Sequence, residues 1–192
     1  MRIVLASASP RRAEVLSDAG ISFDVLATDV DEKRLPDESA EAMVKRLSES
    51  KARAAGALVS GDVEPLMVIG ADTVVEIEGD VLGKPGTSAR ARAMLERLSG
   101  KTHAVLTGVA LLRLPEGIMR IEVECTQVRF APLTMDEIDE YVATGEPLDK
   151  AGAYGIQGHG GRFVERIEGC YFNVVGLPLA RVYRILQQAG AL

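Results

Sequence analysis

Two hydroxyls and two guanidinium groups lie close together near the start of the chain. The run SASPRR, residues 7–12, contains Ser7, Ser9, Arg11 and Arg12 and follows an apolar segment typical of a strand, while a serine before a proline is typical of a helix start. The first turn of a helix presents free N–H groups and the positive end of the helix dipole, so this run has the chemistry of a phosphate-binding site. A capped helix with two solvated arginines explains the run equally well, and spacing alone leaves both interpretations open.

A carboxylate follows the apolar segment that begins at residue 66. Asp72 and Thr73 stand just after that segment, and α/β enzymes often place catalytic groups at the end of a strand. Taken alone, Asp72 is better explained as a turn residue that hydrogen-bonds its own backbone. A second acidic cluster, Asp29, Asp31 and Glu32, is by default a solvated run, but together with Asp72 it has the oxygen ligands that Mg²⁺ prefers.

Two glycine-containing segments add candidate ligands for a nucleotide. Lys84 stands between a glycine and a proline, with spacing that excludes a Walker A motif. A lysine beside such a rigid turn could reach a phosphate, although a surface lysine is the more common case. Gln157 lies in a glycine-rich stretch and has an amide that can both donate to and accept from a nucleobase edge. A flexible loop is the alternative for this stretch, but its apolar residues favour order.

The composition excludes several classes of protein. The chain has 192 residues, a net charge of −6 and no tryptophan, so we expect no nucleic-acid partner and expect local cations to hold any anionic substrate. No apolar run approaches the roughly 18–20 residues of a membrane span. Two cysteines cannot form a disulfide framework, and two histidines disfavour a zinc site. We therefore expect one cytoplasmic domain, residues 1–192, with no membrane partner.

Strand-like and helix-like segments alternate along the chain. This alternation, with a hairpin turn at residues 78–80, predicts an α/β fold with a mixed sheet. Residues 146–161 are expected to form a loop. The predicted strands are 2–6, 23–27, 66–69, 74–77, 103–114 and 118–130, and the predicted helices are 9–20, 39–58, 87–100, 134–145 and 178–188.

These motifs, in this order in a short chain, resemble the Maf family of nucleoside triphosphate pyrophosphatases. The resemblance runs from LASASPRR at residues 5–12 through GADTVV at 70–75 and LSGKTH at 98–103 to NVVGLP at 173–178. The stretch DKAGAYGIQG, residues 149–158, is similar to that of the subgroup acting on dTTP and UTP. The resemblance implies a mixed twisted central sheet flanked by helices, two lobes around a cleft as in the inosine triphosphate pyrophosphatases, and a homodimer.

The resemblance also implies a reaction and roles for individual residues. The reaction is hydrolysis of a nucleoside triphosphate to the monophosphate and pyrophosphate, with Mg²⁺ or Mn²⁺ required, and it clears non-standard or excess nucleotides from the pool. Asp72 matches the proton acceptor and a metal ligand, and Glu32 matches the acidic position on the metal side. Positions that hold the triphosphate match Ser7, Arg11, Arg12, Lys51 and Lys84, and positions tied to base selection match Thr73 and Gln157, with Arg12 often counted among them.

A different class of function stays open at this point. Family members are associated with arrest of cell division, so the alternative is a nucleotide-binding regulator of division or septum formation without physiologically important turnover. The intact set of Asp72, Lys84 and Gln157 favours the enzyme.

Overall fold

The computed structural model describes residues 1–59 and 65–192. Its strands are β1 (Arg2–Ala6), β2 (Asp24–Val25), β3 (Leu66–Ile77), β4 (Asp80–Leu82), β5 (Thr102–Leu114), β6 (Ile118–Phe130) and β7 (Val164–Glu168). Its α-helices are α1 (Pro10–Asp18), α2 (Ala40–Leu58), α3 (Ser88–Leu98), α4 (Met135–Ala143), α5 (Tyr171–Val175) and α6 (Leu179–Gln188). Short 3-10 helices cover Glu146–Asp149, Ala151–Ala153 and His159–Phe163. Within the described ranges, no helix has both the length and the apolar composition that crossing a membrane requires.

The strands form a mixed sheet. Its order is β2-β1-β3-β5-β6-β7, with β4 paired to β3. β1 is parallel to both β2 and β3, whereas β4 is antiparallel to β3 and β7 is antiparallel to β6. The α/β fold with a mixed sheet flanked by helices, which the sequence predicts, is confirmed.

The chain divides into two compact units. The first unit comprises Met1–Asp72, Thr107–Glu124 and Gly176–Leu192, and the second comprises Thr73–Leu106 and Cys125–Val175. Each unit has buried apolar residues of its own. One cluster in the first unit consists of Val4, Ala6, Ala52, Ala55, Leu66, Val68, Ala110 and Leu112.

Helix α2 packs directly against strand backbone in the first unit. Glycines occupy the strand positions that face the helix: a Cβ atom at Gly70 would lie 2.2 Å from the carbonyl oxygen of Ser48, and one at Gly108 would lie 2.2 Å from that of Val44. Any side chain at these positions would collide with helix backbone rather than with a side chain that can move aside. The two glycines therefore set how closely α2 approaches β3 and β5.

Strand β3 continues through the segment where the sequence predicts a break. Parallel pairing with β1 extends to the partners Ala6 and Gly70, and the strand runs on without a turn through Asp72 and Thr73. Gly70 is required by the packing of α2 and not by a turn. The explanation of Asp72 as a turn residue is therefore wrong.

The second unit has an aromatic core. His103 is buried, its Nε2 shares a hydrogen bond of 2.9 Å with the Tyr154 hydroxyl, and its ring meets that of Phe130 edge to face at 5.0 Å. Burial lowers the pKa of His103 to about 4, so the imidazole is neutral at pH 7. His103 is thus a core residue that holds Tyr154 within the glycine-rich stretch.

The glycine-rich stretch is more ordered than the expected loop. Three short 3-10 helices occupy much of residues 146–163, and β7 and α5, which the sequence did not indicate, follow them. Gly152 has a φ of 68°, and a Cβ atom there would lie 2.7 Å from Val75 Cγ2. Glycine is needed at this position for both reasons.

Replacing Gly70 with alanine tests the close packing of α2. The added methyl group would lie 2.2 Å from the Ser48 carbonyl oxygen and 2.7 Å from the Ala52 nitrogen. We expect Gly70→Ala to lower the free energy of unfolding in urea by about 1–3 kcal/mol, the usual cost of overpacking. Gly83→Ala is the matched control, because nothing lies within 4 Å of a Cβ atom there. Equal stability of the two variants would contradict this account of the packing.

Candidate active site

The first unit contains an ion cluster in which one lysine joins two carboxylates. Lys51 Nζ lies 2.7 Å from Asp72 Oδ1 and 2.6 Å from Glu32 Oε1. Lys51 and Asp72 are only 8% and 7% exposed, whereas the Glu32 side chain is nearly half exposed. Three segments far apart in the sequence thus meet at one ammonium group. We call these three residues the Lys51 cluster.

The packing of α2 on β3 brings Lys51 to Asp72. Lys51 lies one turn after Ser48, the residue whose carbonyl oxygen packs over Gly70. Asp72 is two residues beyond Gly70 on β3, and residues two apart on a strand share a face. The contact that places the helix on the strand therefore also places the lysine beside the aspartate.

A second ion pair fixes the segment that contains Glu32. The Glu38 carboxylate accepts hydrogen bonds from Arg46 Nε at 2.6 Å and Nη2 at 2.8 Å, and from the Leu35 nitrogen at 3.0 Å. Arg46 Nη2 also donates to the Lys33 carbonyl oxygen at 3.0 Å. The hydrogen bonds from Arg46 lower the pKa of Glu38 to about 2. This pair ties the chain next to Glu32 to helix α2.

Arg12 contributes a buried guanidinium group that links three segments of the first unit. Its Nη1 donates to Ser7 Oγ at 3.1 Å and to the Ala71 carbonyl oxygen at 2.9 Å, and its Nε donates to the Gly176 carbonyl oxygen at 2.8 Å. Burial lowers the pKa of Arg12, and the nearby carboxylates, foremost Asp72, oppose this shift. Arg12 therefore holds the backbone immediately before Asp72.

The start of α1 differs in detail from the expected capped helix. Ser9 occupies the N-cap position, but its side chain makes no capping hydrogen bond. Ser7 Oγ instead accepts a hydrogen bond from the Ser9 nitrogen at 3.2 Å. Arg11 is half-buried in the first turn of the helix, next to Arg12.

The two carboxylates of the Lys51 cluster fit a divalent cation. Both place an oxygen within hydrogen-bonding distance of one point, which the Lys51 ammonium occupies. Mg²⁺ is commonly bound through one or two carboxylates, with phosphate oxygens and water completing the shell. Within residues 1–59 and 65–192 there is no group of three or more His, Cys, Asp and Glu side chains that could hold a metal alone. The donor set of Asp72 and Glu32 therefore suits a cation that arrives with a polyphosphate.

Lys84 and Gln157 lie in neighbouring segments of the second unit. Lys84 is exposed and follows β4, and the carbonyl oxygen of Gly83 accepts a hydrogen bond of 3.2 Å from the Gly152 nitrogen. Gln157 is exposed in the turn that follows the 3-10 helix Ala151–Ala153. Thr73, also assigned to the second unit, is partly exposed on β3.

The structure brings together the predicted residues of the first unit. The first unit assembles Ser7, Arg12, Glu32, Lys51 and Asp72, and Arg11 lies beside them along α1. The second unit contains Thr73, Lys84 and Gln157.

Several residues that hold the predicted site residues in place do not stand out in the sequence. Nothing in the residue pattern singles out Lys51, which entered only through the family resemblance, because a lysine in a helix is ordinarily exposed. Glu38, Arg46 and Glu146 were missed because charged residues in helices and in loops are ordinarily solvated. Gly108, which lies inside the predicted strand 103–114, is a sequence signal that another backbone approaches this strand, whereas Gly70 falls in the predicted break.

The chain is similar in sequence to proteins of one known family. The sequence model of the family described as Maf-like protein matches residues 2–189. A dTTP/UTP pyrophosphatase of Symbiobacterium thermophilum is 50% identical over 189 residues, which cover 98% of this chain and 94% of the relative. A dTTP/UTP pyrophosphatase of Escherichia coli O157:H7 is 49% identical over 193 residues, covering 99% of this chain and 94% of the relative. A solved nucleoside-triphosphatase, dITP/XTP pyrophosphatase, from Mycobacterium abscessus aligns with 69% of this chain and 76% of its own at 19% identity and a TM-score of 0.42.

Removing the lysine tests whether the Lys51 cluster is a buried ion pair. We expect Lys51→Met to lower the free energy of unfolding by about 3–5 kcal/mol, because it leaves the buried Asp72 without its cation. Lys45→Met is the control on the same helix: Lys45 pairs with Glu41, both about half exposed, and such pairs contribute roughly 0.2–1 kcal/mol. The double variant Lys51→Met/Asp72→Asn should recover part of the loss in chemical denaturation. Equal effects of Lys51→Met and Lys45→Met would contradict the prediction.

Proposed function

The chain belongs to the Maf-like protein family, and on this premise we propose that it is a nucleoside triphosphate pyrophosphatase that acts on dTTP and UTP. The reaction cleaves the bond between the α- and β-phosphates and releases the nucleoside monophosphate and pyrophosphate. The observation that carries the proposal is the Lys51 cluster, in which the buried Asp72 carboxylate is fixed beside a lysine and a second carboxylate. Modified pyrimidine nucleotides are further candidate substrates, and the biological role is removal of non-standard or excess nucleotides.

The cations of the first unit are assigned to the phosphates. Arg12 and Lys51 are buried and held in place, so they need little reordering when an anion binds. We assign the triphosphate to Ser7, Arg11, Arg12 and Lys51, together with Lys84 of the second unit. Their positive charge and hydrogen-bond donors stabilise the negative charge that builds on the leaving pyrophosphate.

Asp72 is assigned as the proton acceptor. Its Oδ1 accepts a hydrogen bond from Lys51 at 2.7 Å, which fixes the orientation of the carboxylate. We assign Oδ2 as the atom that takes the proton as the water oxygen bonds to the α-phosphorus and the bridging oxygen leaves with the β-phosphate. Lys51 is the positioning residue for this carboxylate, and Arg12 holds the preceding peptide at the Ala71 carbonyl oxygen.

A divalent metal, Mg²⁺ or Mn²⁺, is proposed as the cofactor. Asp72 and Glu32 would hold it, and when bound it supplies positive charge to the phosphate oxygens. The Lys51 cluster and Arg12 together provide two cations and two carboxylates. Because these charges cancel, the metal would supply the additional positive charge that the triphosphate needs.

The second unit is assigned to base recognition. Gln157 can donate and accept at adjacent points of its amide, which suits the uracil or thymine edge, and Thr73 is assigned to the same task, with Arg12 counted alongside. A site for both bases is reasonable because one methyl group contributes only about 1–3 kcal/mol of discrimination.

The wider assignments rest on the family match and on the chain's chemistry. We propose that residues 1–192 act as one domain, since the match over residues 2–189 includes both units. We also propose a homodimer located in the cytoplasm, since a chain with only two cysteines cannot depend on a disulfide framework. The nucleotide is the proposed partner, with no nucleic acid and no membrane.

Asp72→Asn is the direct test of the proposed reaction. We expect pyrophosphate release from dTTP and UTP with Mg²⁺ to fall by at least about 100-fold, the usual contribution of a general base, while the thermal melting profile stays folded. Asp80→Asn is the control, because that carboxylate is exposed and pairs with Arg97 at 2.9 Å.

The same assay decides between the enzyme and the regulator. Chelation of the metal should stop pyrophosphate release by the parent protein. Parent-like turnover by Asp72→Asn would show that the base is assigned wrongly, and tight nucleotide binding without any product from the parent would favour the regulator of division.

A further inference from the structure

We infer that Glu146 is the residue that positions Gln157, by anchoring both ends of the turn on which Gln157 stands. This inference rests on the proposed role of Gln157 in reading the base. Glu146 itself is assigned to no step of the reaction.

Gln157 stands on a short turn in the second unit. The Gly158 nitrogen donates a hydrogen bond of 3.2 Å to the Gly155 carbonyl oxygen, and Ile156 and Gln157 are the two residues between them. Gln157 is exposed, while Gly155 is buried. A four-residue turn of this kind sets the direction of an exposed side chain only if the chain on both sides of it is fixed.

The Glu146 carboxylate fixes the chain after the turn. Its Oε2 accepts a hydrogen bond from the His159 nitrogen at 2.9 Å, and its Oε1 accepts one from the Gly160 nitrogen at 3.3 Å. A Cβ atom at Gly158 would lie 2.5 Å from both carboxylate oxygens. The glycine therefore lets the backbone of the turn rest against the carboxylate.

The same carboxylate fixes the chain before the turn through a buried tyrosine. The Tyr141 hydroxyl donates to Glu146 Oε1 at 2.8 Å and accepts a hydrogen bond from the Gly155 nitrogen at 3.2 Å. Tyr141 is fully buried, with its ring edge to face with Phe163 at 5.2 Å, so its hydroxyl cannot easily move. Both ends of the turn are thus connected to one side chain.

The chemistry of this contact requires an ionised acceptor. Every group that faces the Glu146 carboxylate in these contacts is an N–H or O–H donor, and a carboxylate is the side chain that only accepts. Burial raises the pKa of Glu146, but the hydrogen bonds from His159, Tyr141 and Gly160 outweigh that effect and lower its pKa below the usual value. Lys150 Nζ adds a hydrogen bond of 2.7 Å to the Glu146 carbonyl oxygen.

Glu146→Gln tests the inference with almost no change of shape. One carboxylate oxygen becomes an NH₂ group that faces donors, so the turn loses hydrogen bonds that hold it. Gln157 then spends less time in the orientation that binds the base. Apparent affinity falls with the fraction of time spent there. We expect KM for dTTP to rise by roughly tenfold and kcat to change by less than about twofold. The preference for dTTP over dATP should fall by roughly tenfold, as in Gln157→Ala.

Hydrogen exchange and a matched control separate positioning from a general loss of structure. Amide exchange at residues 155–160 should accelerate in Glu146→Gln, while exchange in β3 and α2 stays as in the parent. Glu165→Gln should behave like the parent in every assay, because Glu165 is a half-exposed carboxylate that pairs with Arg129 at 3.5 Å. If Glu146→Gln does not fold, Tyr141→Phe carries the test, since it removes only the hydroxyl that links Glu146 to Gly155.

The outcomes distinguish this inference from the proposed function. If Gln157→Ala loses base preference while folded Glu146→Gln keeps the parent KM, preference and amide exchange, the positioning role is wrong and the proposed function stands. The same results in Tyr141→Phe would overturn the role if Glu146→Gln fails to fold. If the parent releases no pyrophosphate, the proposed function is wrong, and amide exchange at residues 155–160 alone decides whether Glu146 holds the turn.

Discussion

The contact between the Lys51 ammonium and the carboxylates of Asp72 and Glu32 is the interaction on which the proposed chemistry depends. A buried aspartate is costly unless a cation and hydrogen bonds compensate it. Lys51 can supply that compensation only because α2 lies close enough to β3, and it lies that close because Gly70 has no side chain. The absence of a side chain at Gly70 thus determines where the Lys51 ammonium lies.

The two units fix their functional side chains by opposite arrangements of donors and acceptors. In the first unit, a lysine and an arginine hold carboxylates and carbonyl oxygens around Asp72. In the second unit, a single acceptor binds several donors: the Glu146 carboxylate accepts hydrogen bonds from two backbone N–H groups and from the Tyr141 hydroxyl. The first arrangement fixes a buried carboxylate, Asp72, beside cations, and the second leaves a neutral amide, Gln157, exposed on an ordered turn.

Much of this was predictable from the sequence, for reasons that particular residues make clear. The alternation of segments predicts the α/β class, and SASPRR, Asp72 and the stretch around Gln157 stand out because their residue types are unusual in their surroundings. The continuity of β3 through Asp72 was not predictable, because Gly70 is read as a turn signal when it in fact accommodates α2. Lys51, Glu38 and Glu146 could not be recognised from the sequence as charges with fixed partners, since those partners are 21, 8 and 13 residues away in sequence and are brought near only by the fold.

The most direct measurement of the central claim is a crystal structure with Mg²⁺ and a UTP analogue that has a methylene group in place of the oxygen between the α- and β-phosphates. The account predicts the α-phosphorus within about 3–4 Å of a water that contacts the Asp72 carboxylate, the distance of a productive attack, and Lys51 still bonded to Asp72. A triphosphate bound by other residues, with Asp72 and Lys51 remote from every phosphate, would contradict it.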